Sequence, residues 1–448
     1  MKGIVLFLAG ILGTLPFYGQ ESLSMDSAQM ALNALMQQSY TSHLTLSLAD
    51  AQNYAIQQNR TLKNASLDVR KAHAQRWQTI AAMLPQADAS AQYVNMCNYE
   101  MEFGATGQKM SMPNYLTAGA SVSMGLNGQA IVGALINNIA IEMQDITRNQ
   151  SEADLAANVT EGYAAVLVMQ DIVVLMDSSL RNVERLYDQT ARMAAVGAVE
   201  QTQADQVRVR VNQLHNSVMA NRRNLELAYN TLRVLLDVDA ETELQLTTSL
   251  DQLLSPENAL GMLLEQWNIN NNFNYQLLQK NVELAKKNVH MAAWAYGPTI
   301  GAQYTYTYRH NFTDGGFNMT PPNMIAVNVA LPIWSSGKRA AGVTEKKIAL
   351  QQAENTLSET TDNLGIQYQQ LRYNLANAYE TYITQKENIE VSSRVFANVG
   401  NKYHWGASSA LELTNASNDL ITAQTSYVNS VLELVNAQVK LEKFLNNK

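Results

Sequence analysis

The chain has 448 residues, 46% hydrophobic and only 16% charged, so uncharged polar side chains must cover much of its surface. Lys and Arg total 31 against 39 Asp and Glu, and the resulting formal charge of -8 excludes a sequence-independent grip on nucleic-acid phosphates. The single Cys97 excludes an intrachain disulfide framework, and the 6 histidines are widely scattered, so neither a metal site nor a cofactor is expected.

Residues 1–20 read as a secretory signal, because Lys2 precedes an apolar stretch from Ile4 to Phe17 that is shorter than a spanning helix of ~20 residues. The next period-two segment places Ala87, Ala89, Ala91 and Tyr93 against Gln86, Asp88, Ser90 and Gln92. A second places Leu116, Ala118, Ala120, Val122 and Met124 against Thr117, Gly119, Ser121 and Ser123. These predict a strand hairpin with one apolar and one polar face. Cys97, at the end of the first strand, is expected to be a small packed residue.

Prolines are absent from 114–255 and from 333–448, which permits long helices there. Val159, Val166, Val173, Leu180 and Tyr187 recur every seven residues, with Met169, Met176 and Val183 at the second seam position. A helix over about 127–196 would be about 105 Å long at ~1.5 Å per residue. Gly197 ends it and folds the chain back as a helical hairpin. The pattern then returns: Ile300, Ala302, Tyr304, Tyr306 and Tyr308 alternate with Gln303, Thr305 and Thr307, and Ile325, Val327, Val329 and Leu331 follow on a partner strand. A second seam of Leu350, Leu357, Leu364, Leu371 and Ala378 runs to Gly406.

Asn59–Gln86 aligns with Asn272–Thr299 at an offset of 213, and Gly128 and Gly197 align with Gly337 and Gly406 at 209. Past the turn, Leu225-Glu226-Leu227 matches Leu432-Glu433-Leu434 at 207, which implies two extra residues in the first turn and pairs Asp205 with Glu412. The chain therefore reads as an internal twofold repeat. A first unit spans 21–250, with strands at about 86–126 and a helical hairpin at about 127–246; a second spans 251–448, with strands at about 298–332 and a hairpin at about 335–446. The fold class is mostly α with membrane β. Ten-residue strands with one apolar face suit a lipid bilayer, and four of them cannot close a barrel, so other copies must supply the remaining strands.

Four sets of residues stand out together: Leu44 to Ala51 with Asn59 and Leu62, the Leu84-Pro85 strand entry, Leu331-Pro332-Ile333-Trp334 with Gly337, and Tyr403, Gly406, Ser409, Glu412, Leu413 and Ala416. In that order they resemble the TolC-like outer membrane factors, the exit ducts of tripartite efflux pumps and type I secretion systems. The resemblance implies a homotrimer in which twelve strands close one barrel in the outer membrane of a Gram-negative bacterium and helices continue through the periplasm as an α-barrel. It also implies a periplasmic adaptor and an inner-membrane transporter as partners, docking at the turns carrying Gly197, Gly406 and Ser409.

By position in that family, Glu412 belongs to an acidic periplasmic entrance, with Asn415 where a second acid is often found, Asp205 as its counterpart in the first half, and Tyr403 as a latching aromatic. Ser408 stands where some members carry a basic latch residue. Gln92, Ser121, Gln303 and Thr305 are expected to line the barrel lumen. No nucleophile elbow, phosphate loop or His-Glu-x-x-His motif occurs, so no catalytic activity is expected. A second reading stays open, a soluble or surface-attached coiled-coil scaffold or periplasmic adaptor, which explains the seams but not the apolar-faced strands or the repeat.

Overall fold

The computed structural model describes residues 42–97, 99–103, 108–253, 256–312 and 321–446. The expected signal at 1–20 and the loop glycines 104, 107, 315 and 316 lie outside the described residues. Strand β1 (Ser42–Leu46) leads into α1 (Leu48–Gln58) and α2 (Arg60–Ala81). Next come β2 (Gln86–Val94), the short β3 (Glu100–Phe103) and β4 (Gln108–Ser111), and β5 (Tyr115–Asn127). The first helical hairpin is α3 (Gly128–Ala195) and α4 (Gln201–Leu236). After β6 (Thr242–Leu246) come α5 (Leu250–Leu253), α6 (Pro256–Leu264) and α7 (Phe273–Ala293). The chain closes with β7 (Thr299–Asn311), β8 (Asn323–Ala330) and a second hairpin, α8 (Lys338–His404) and α9 (Ala410–Leu445).

Local chemistry starts these helices where the sequence supplies an oxygen at the cap. Asn127 Oδ1 accepts the Ala130 N–H at 2.7 Å ahead of the 68-residue α3, and Asn59 and Asn272 cap α2 and α7 in the same way. Ser47 and Asp50 form a reciprocal capping box on α1, and the Ser47 hydroxyl holds the exposed Asp50 carboxyl below its usual range. At the sheet end, Gly128 lets α3 pass directly against the Trp294 ring, where a Cβ would collide.

The main sheet has the order β2-β5-β7-β8 and is antiparallel throughout. Its register joins like with like: Ala89 faces Ala120, which faces Tyr306, and Val122 faces Tyr304, which faces Ile325. One apolar face thus runs unbroken across all four strands, as the alternation predicts. A parallel pair, β1 with β6, and a small β3–β4 hairpin add to the four expected strands.

The core divides into three clusters along the helices. Leu46, Ala51, Val159, Tyr163, Leu232 and Leu244 form the one around β1 and β6. Leu375, Tyr382, Val431, Leu434 and Leu441 form another around α8 and α9. The third, with Leu180, Val183, Leu214 and Tyr403, lies toward the turns. The α3 helix contains an apolar window long enough to cross a membrane, but it packs against α2, α4, α7 and α9 and supplies all three clusters, as a core helix does. On the helix surfaces, Lys280 of α7 bridges Glu142 of α3 and Glu283, whose carboxylates raise its ammonium above the usual lysine range.

Two expectations need correction. Helices α3 and α8 end at 195 and 404, and α4 and α9 run 201–236 and 410–445, so every one of these boundaries keeps the offset of 209 and the turns are equal in length. Leu232 and Leu441, both fully buried, confirm that step. The Leu-Glu-Leu match at 207 does not follow the helix boundaries: counted from the helix starts, Glu412 stands level with Gln203, and Asp205 with Thr414. Cys97 is exposed, not packed; it sits at φ 49° in a turn where Asn95 Oδ1 accepts its N–H.

The buried Tyr163 hydroxyl donates to the Leu46 carbonyl at 3.0 Å and accepts the Thr248 N–H at 3.0 Å, tying α3 to the end of β1 and to the segment just past β6. Replacing Tyr163 with Phe strands the Thr248 donor and is expected to lower stability by about 1–3 kcal/mol, measured by urea unfolding. An unchanged midpoint would show that this bond does not hold the pair in place.

Candidate functional site

Two regions gather the candidate residues, the turns of the helical hairpins and the polar face of the sheet. Both turns are built alike. Gly197 (φ +74°) and Gly406 (φ +73°) adopt the left-handed conformation after their helices, and each turn closes with a 6→1 and a 5→2 hydrogen bond. The first pair is Ala198 N–H to Met193 O and Gly197 N–H to Ala194 O; the second is Ala407 N–H to Lys402 O and Gly406 N–H to Tyr403 O. The capping residues just before the glycines, Val196 and Trp405, are each 81% exposed.

Ser409 caps α9, its hydroxyl accepting the Glu412 N–H at 3.1 Å, while Ser408 donates its hydroxyl to the Glu412 carboxylate at 2.6 Å. Glu412 is thereby oriented over the helix N-terminus, where a negative charge is favoured, and remains exposed. Asn415 is exposed one turn further along. Asp205 is exposed on α4 and accepts from Gln201 at 3.2 Å. His404 is exposed too and meets the Trp405 ring edge-on.

Tyr403 differs from the rest, because it is buried between the two hairpins. Thr190 Oγ1 donates to the Leu186 carbonyl at 2.9 Å and lies 3.2 Å from the Tyr403 hydroxyl, so the tyrosine donates to it. Two more polar links join the hairpins: Gln424 donates to Ser179 at 3.2 Å, and Arg210 Nε to Ser417 Oγ at 3.4 Å. Burial lowers the Arg210 guanidinium below its ordinary value. Sequence reading missed this polar seam, although it left a signal. Thr190 continues the heptad series Met169, Met176, Val183, so a hydroxyl stands where the pattern calls for an apolar residue.

On the sheet, Ser121 pairs with Thr305, Ser123 with Gln303, and Gln92 with Thr117, which puts Gln92, Ser121, Gln303 and Thr305 on one face as expected. Among the described residues, no group of three or more His, Cys, Asp or Glu side chains is arranged to hold a metal ion.

Nothing lies near the missing Cβ of Gly406, so an added methyl group strains only the backbone. Gly406→Ala is expected to destabilise the turn by about 1–2 kcal/mol, and Ser409→Ala to remove a cap worth about 1 kcal/mol. Amide exchange over residues 405–413 should accelerate by roughly fivefold or more in each variant while the rest of the chain stays protected. Unchanged exchange would exclude the assigned turn and cap geometry.

Comparison with known proteins bears on both regions. Residues 267–447 match the family model described as outer membrane efflux protein. No curated protein sequence matches the chain. Among solved structures, the outer membrane protein VceC of Vibrio cholerae superposes with a TM-score of 0.71 at 14% identity, covering 89% of this chain and 96% of that one. The open-state MtrE outer membrane channel of Neisseria gonorrhoeae gives 0.70 at 17% identity, covering 89% and 88%. The CmeC outer membrane channel of Campylobacter jejuni gives 0.68 at 15% identity, covering 89% and 85%. The resemblance to the TolC-like outer membrane factors therefore holds at two levels, in sequence over residues 267–447 and in fold over 89% of the chain.

Proposed function

We propose that three copies of this chain form an outer membrane channel that exports small molecules or proteins, without catalytic activity, from an inner-membrane transporter to the exterior. The observation that carries this reading is the sheet: four strands, one continuous apolar face, and β2 and β8 each with an edge unpaired among the described residues. Ile325, Val327 and Val329 on β8 are 78%, 68% and 66% exposed, the reverse of a water-facing strand. In hydrocarbon an open edge leaves backbone groups unsatisfied at several kcal/mol each, so β8 of one copy joins β2 of the next until twelve strands close. The opposite face, with Gln92, Ser121, Gln303 and Thr305, lines the lumen.

The helices support the same assembly. The 67-residue α8 buries only Leu364, Leu375, Ala378, Tyr382 and Tyr403 and exposes Ile348, Ile366, Tyr373, Val391 and Val395, an apolar surface suited to neighbouring copies. Similar element order in 21–250 and 251–448, with helices of 68 and 36 residues followed by 67 and 36, fits an internal repeat that gives the tunnel twelve comparable helices. The turns at Gly197 and Gly406 form the periplasmic end, where a periplasmic adaptor docks. Glu412 contributes one acidic ring, Asn415 and Asp205 lie beside it, and opening separates the hairpins at the Tyr403–Thr190 seam.

The test is conductance of the purified protein in planar bilayers, with oligomer mass taken from the same preparation. A trimer with small, cation-sensitive conductance is expected, and a water-soluble monomer without conductance would replace the channel with a helical scaffold. Within a conducting trimer, Tyr403→Phe removes one seam bond worth about 1 kcal/mol and should raise the open fraction about fivefold. Glu412→Ala should weaken block by divalent cations. If neither variant changes conductance, the entrance assignment fails while the channel stands.

A further inference from the structure

Strands β5, β7 and β8 end level with one another at the helix side, where Asn127 pairs with Thr299 and Thr299 with Ala330, while β2 begins four residues short of that level, at Gln86 opposite Ser123. The exposed rings of Trp294 and Tyr296 come just before β7 in the chain, and that of Trp334 just before α8. Lys338 and Lys347 are exposed there, and among the described residues neither forms an ion pair. Arg339 donates to the Pro332 carbonyl and lies 5.0 Å over the Tyr296 ring, which fixes the start of α8 against the strand ends. The nearest acid on this helix, Glu345, is already paired with Lys346 at 2.8 Å. Within a chain of net charge -8, this is a local excess of positive charge beside aromatic rings and directly below an apolar sheet face.

We infer that this collar binds the phosphate groups of anionic phospholipids in the membrane leaflet on the helix side. The inference rests on the channel reading above. Side chains on an α-helix tilt toward its N-terminus, so Lys338 and Lys347 of α8 reach up toward the strand ends. Lys338 begins at the boundary, and Lys347 lies about 13 Å below it at ~1.5 Å per residue, a span its long side chain shortens toward the headgroup layer. Tryptophan and tyrosine favour that same layer, with the ring in the apolar boundary and the N–H or O–H toward water. Charge complementarity then selects the lipid: a phosphodiester with net negative charge gains from unpaired cations, and a zwitterionic headgroup gains much less.

Native mass spectrometry of the detergent-released full chain, titrated with phosphatidylglycerol and separately with phosphatidylcholine, tests this. Selective retention of phosphatidylglycerol is expected, and the double variant Lys338→Gln/Lys347→Gln should weaken it by about fivefold for each charge removed. Both lysines are exposed and, among the described residues, outside any ion pair, so the variant keeps the fold, and its thermal melting and bilayer conductance should match the unsubstituted protein. Equal retention of the two lipids, or retention of phosphatidylglycerol unchanged in the variant, overturns the collar and leaves the channel standing. Displacement of phosphatidylglycerol by millimolar inorganic phosphate overturns it as well, because the site would then be one for free phosphate. Selective retention without any conductance would separate the collar from the channel reading, which would fall alone.

Discussion

A β-sheet with two open edges and one apolar face sets the terms for everything else in this molecule. In water, the apolar face would need a covering layer, and neither helical hairpin packs across it. In a bilayer the face needs no cover, but the open edges become the difficulty, because nothing in hydrocarbon can hydrogen bond to them. In the proposed channel, lipid outside and further copies at the edges would resolve both problems together. The helical hairpins inherit the same requirement, since α8 exposes apolar residues along much of its length while α3 buries nineteen residues within the chain.

The two hairpins serve different purposes although their lengths nearly coincide. The first, through α3, anchors all three core clusters and the parallel pair β1–β6. The second packs against it in two of those clusters and adds polar bonds across the seam, at Thr190–Tyr403, Ser179–Gln424 and Arg210–Ser417. Apolar packing tolerates little relative movement without creating voids, whereas polar bonds can be exchanged for water at small net cost. Parting at the tip would exchange the polar bonds for water at small cost, while the apolar contacts around Tyr403 and Leu413 resist it.

Much of this architecture was legible in the sequence because its periods are long and uninterrupted. Proline positions bounded the helices, and the α3 boundaries fall within one residue of the heptad reading. The alternation of alanine, tyrosine and valine with serine, threonine and glutamine fixed the faces of the strands, and the register bears it out. The parallel pair β1–β6 escaped, since each strand has only five residues and its partner lies 200 positions away. The turn offset misled for a different reason: leucine and glutamate recur along both return helices, so a short match fits at more than one offset, and the helix boundaries decide between them. For the entrance, position pointed to the exposed Glu412, but the bond joining the hairpins depends on Thr190, whose partner Tyr403 is 213 residues away.

The pairing of β5 with β7 sets the order in which the chain can assemble. Tyr115 meets Asn311 and Asn127 meets Thr299, so this central ladder waits until α3, α4 and α7 have been synthesised and the chain has returned to the sheet. The helical hairpins need only neighbours in sequence, and such local contacts form fast, while distant strand pairs pay the entropy of closing a long loop. The rods should exist before the sheet does, carrying β2 and β5 as an apolar hairpin without its partners. Such a hairpin is prone to association with whatever edge it meets first. The interval between synthesis of β5 and of β7 is thus the period in which this protein most needs protection from its own strands.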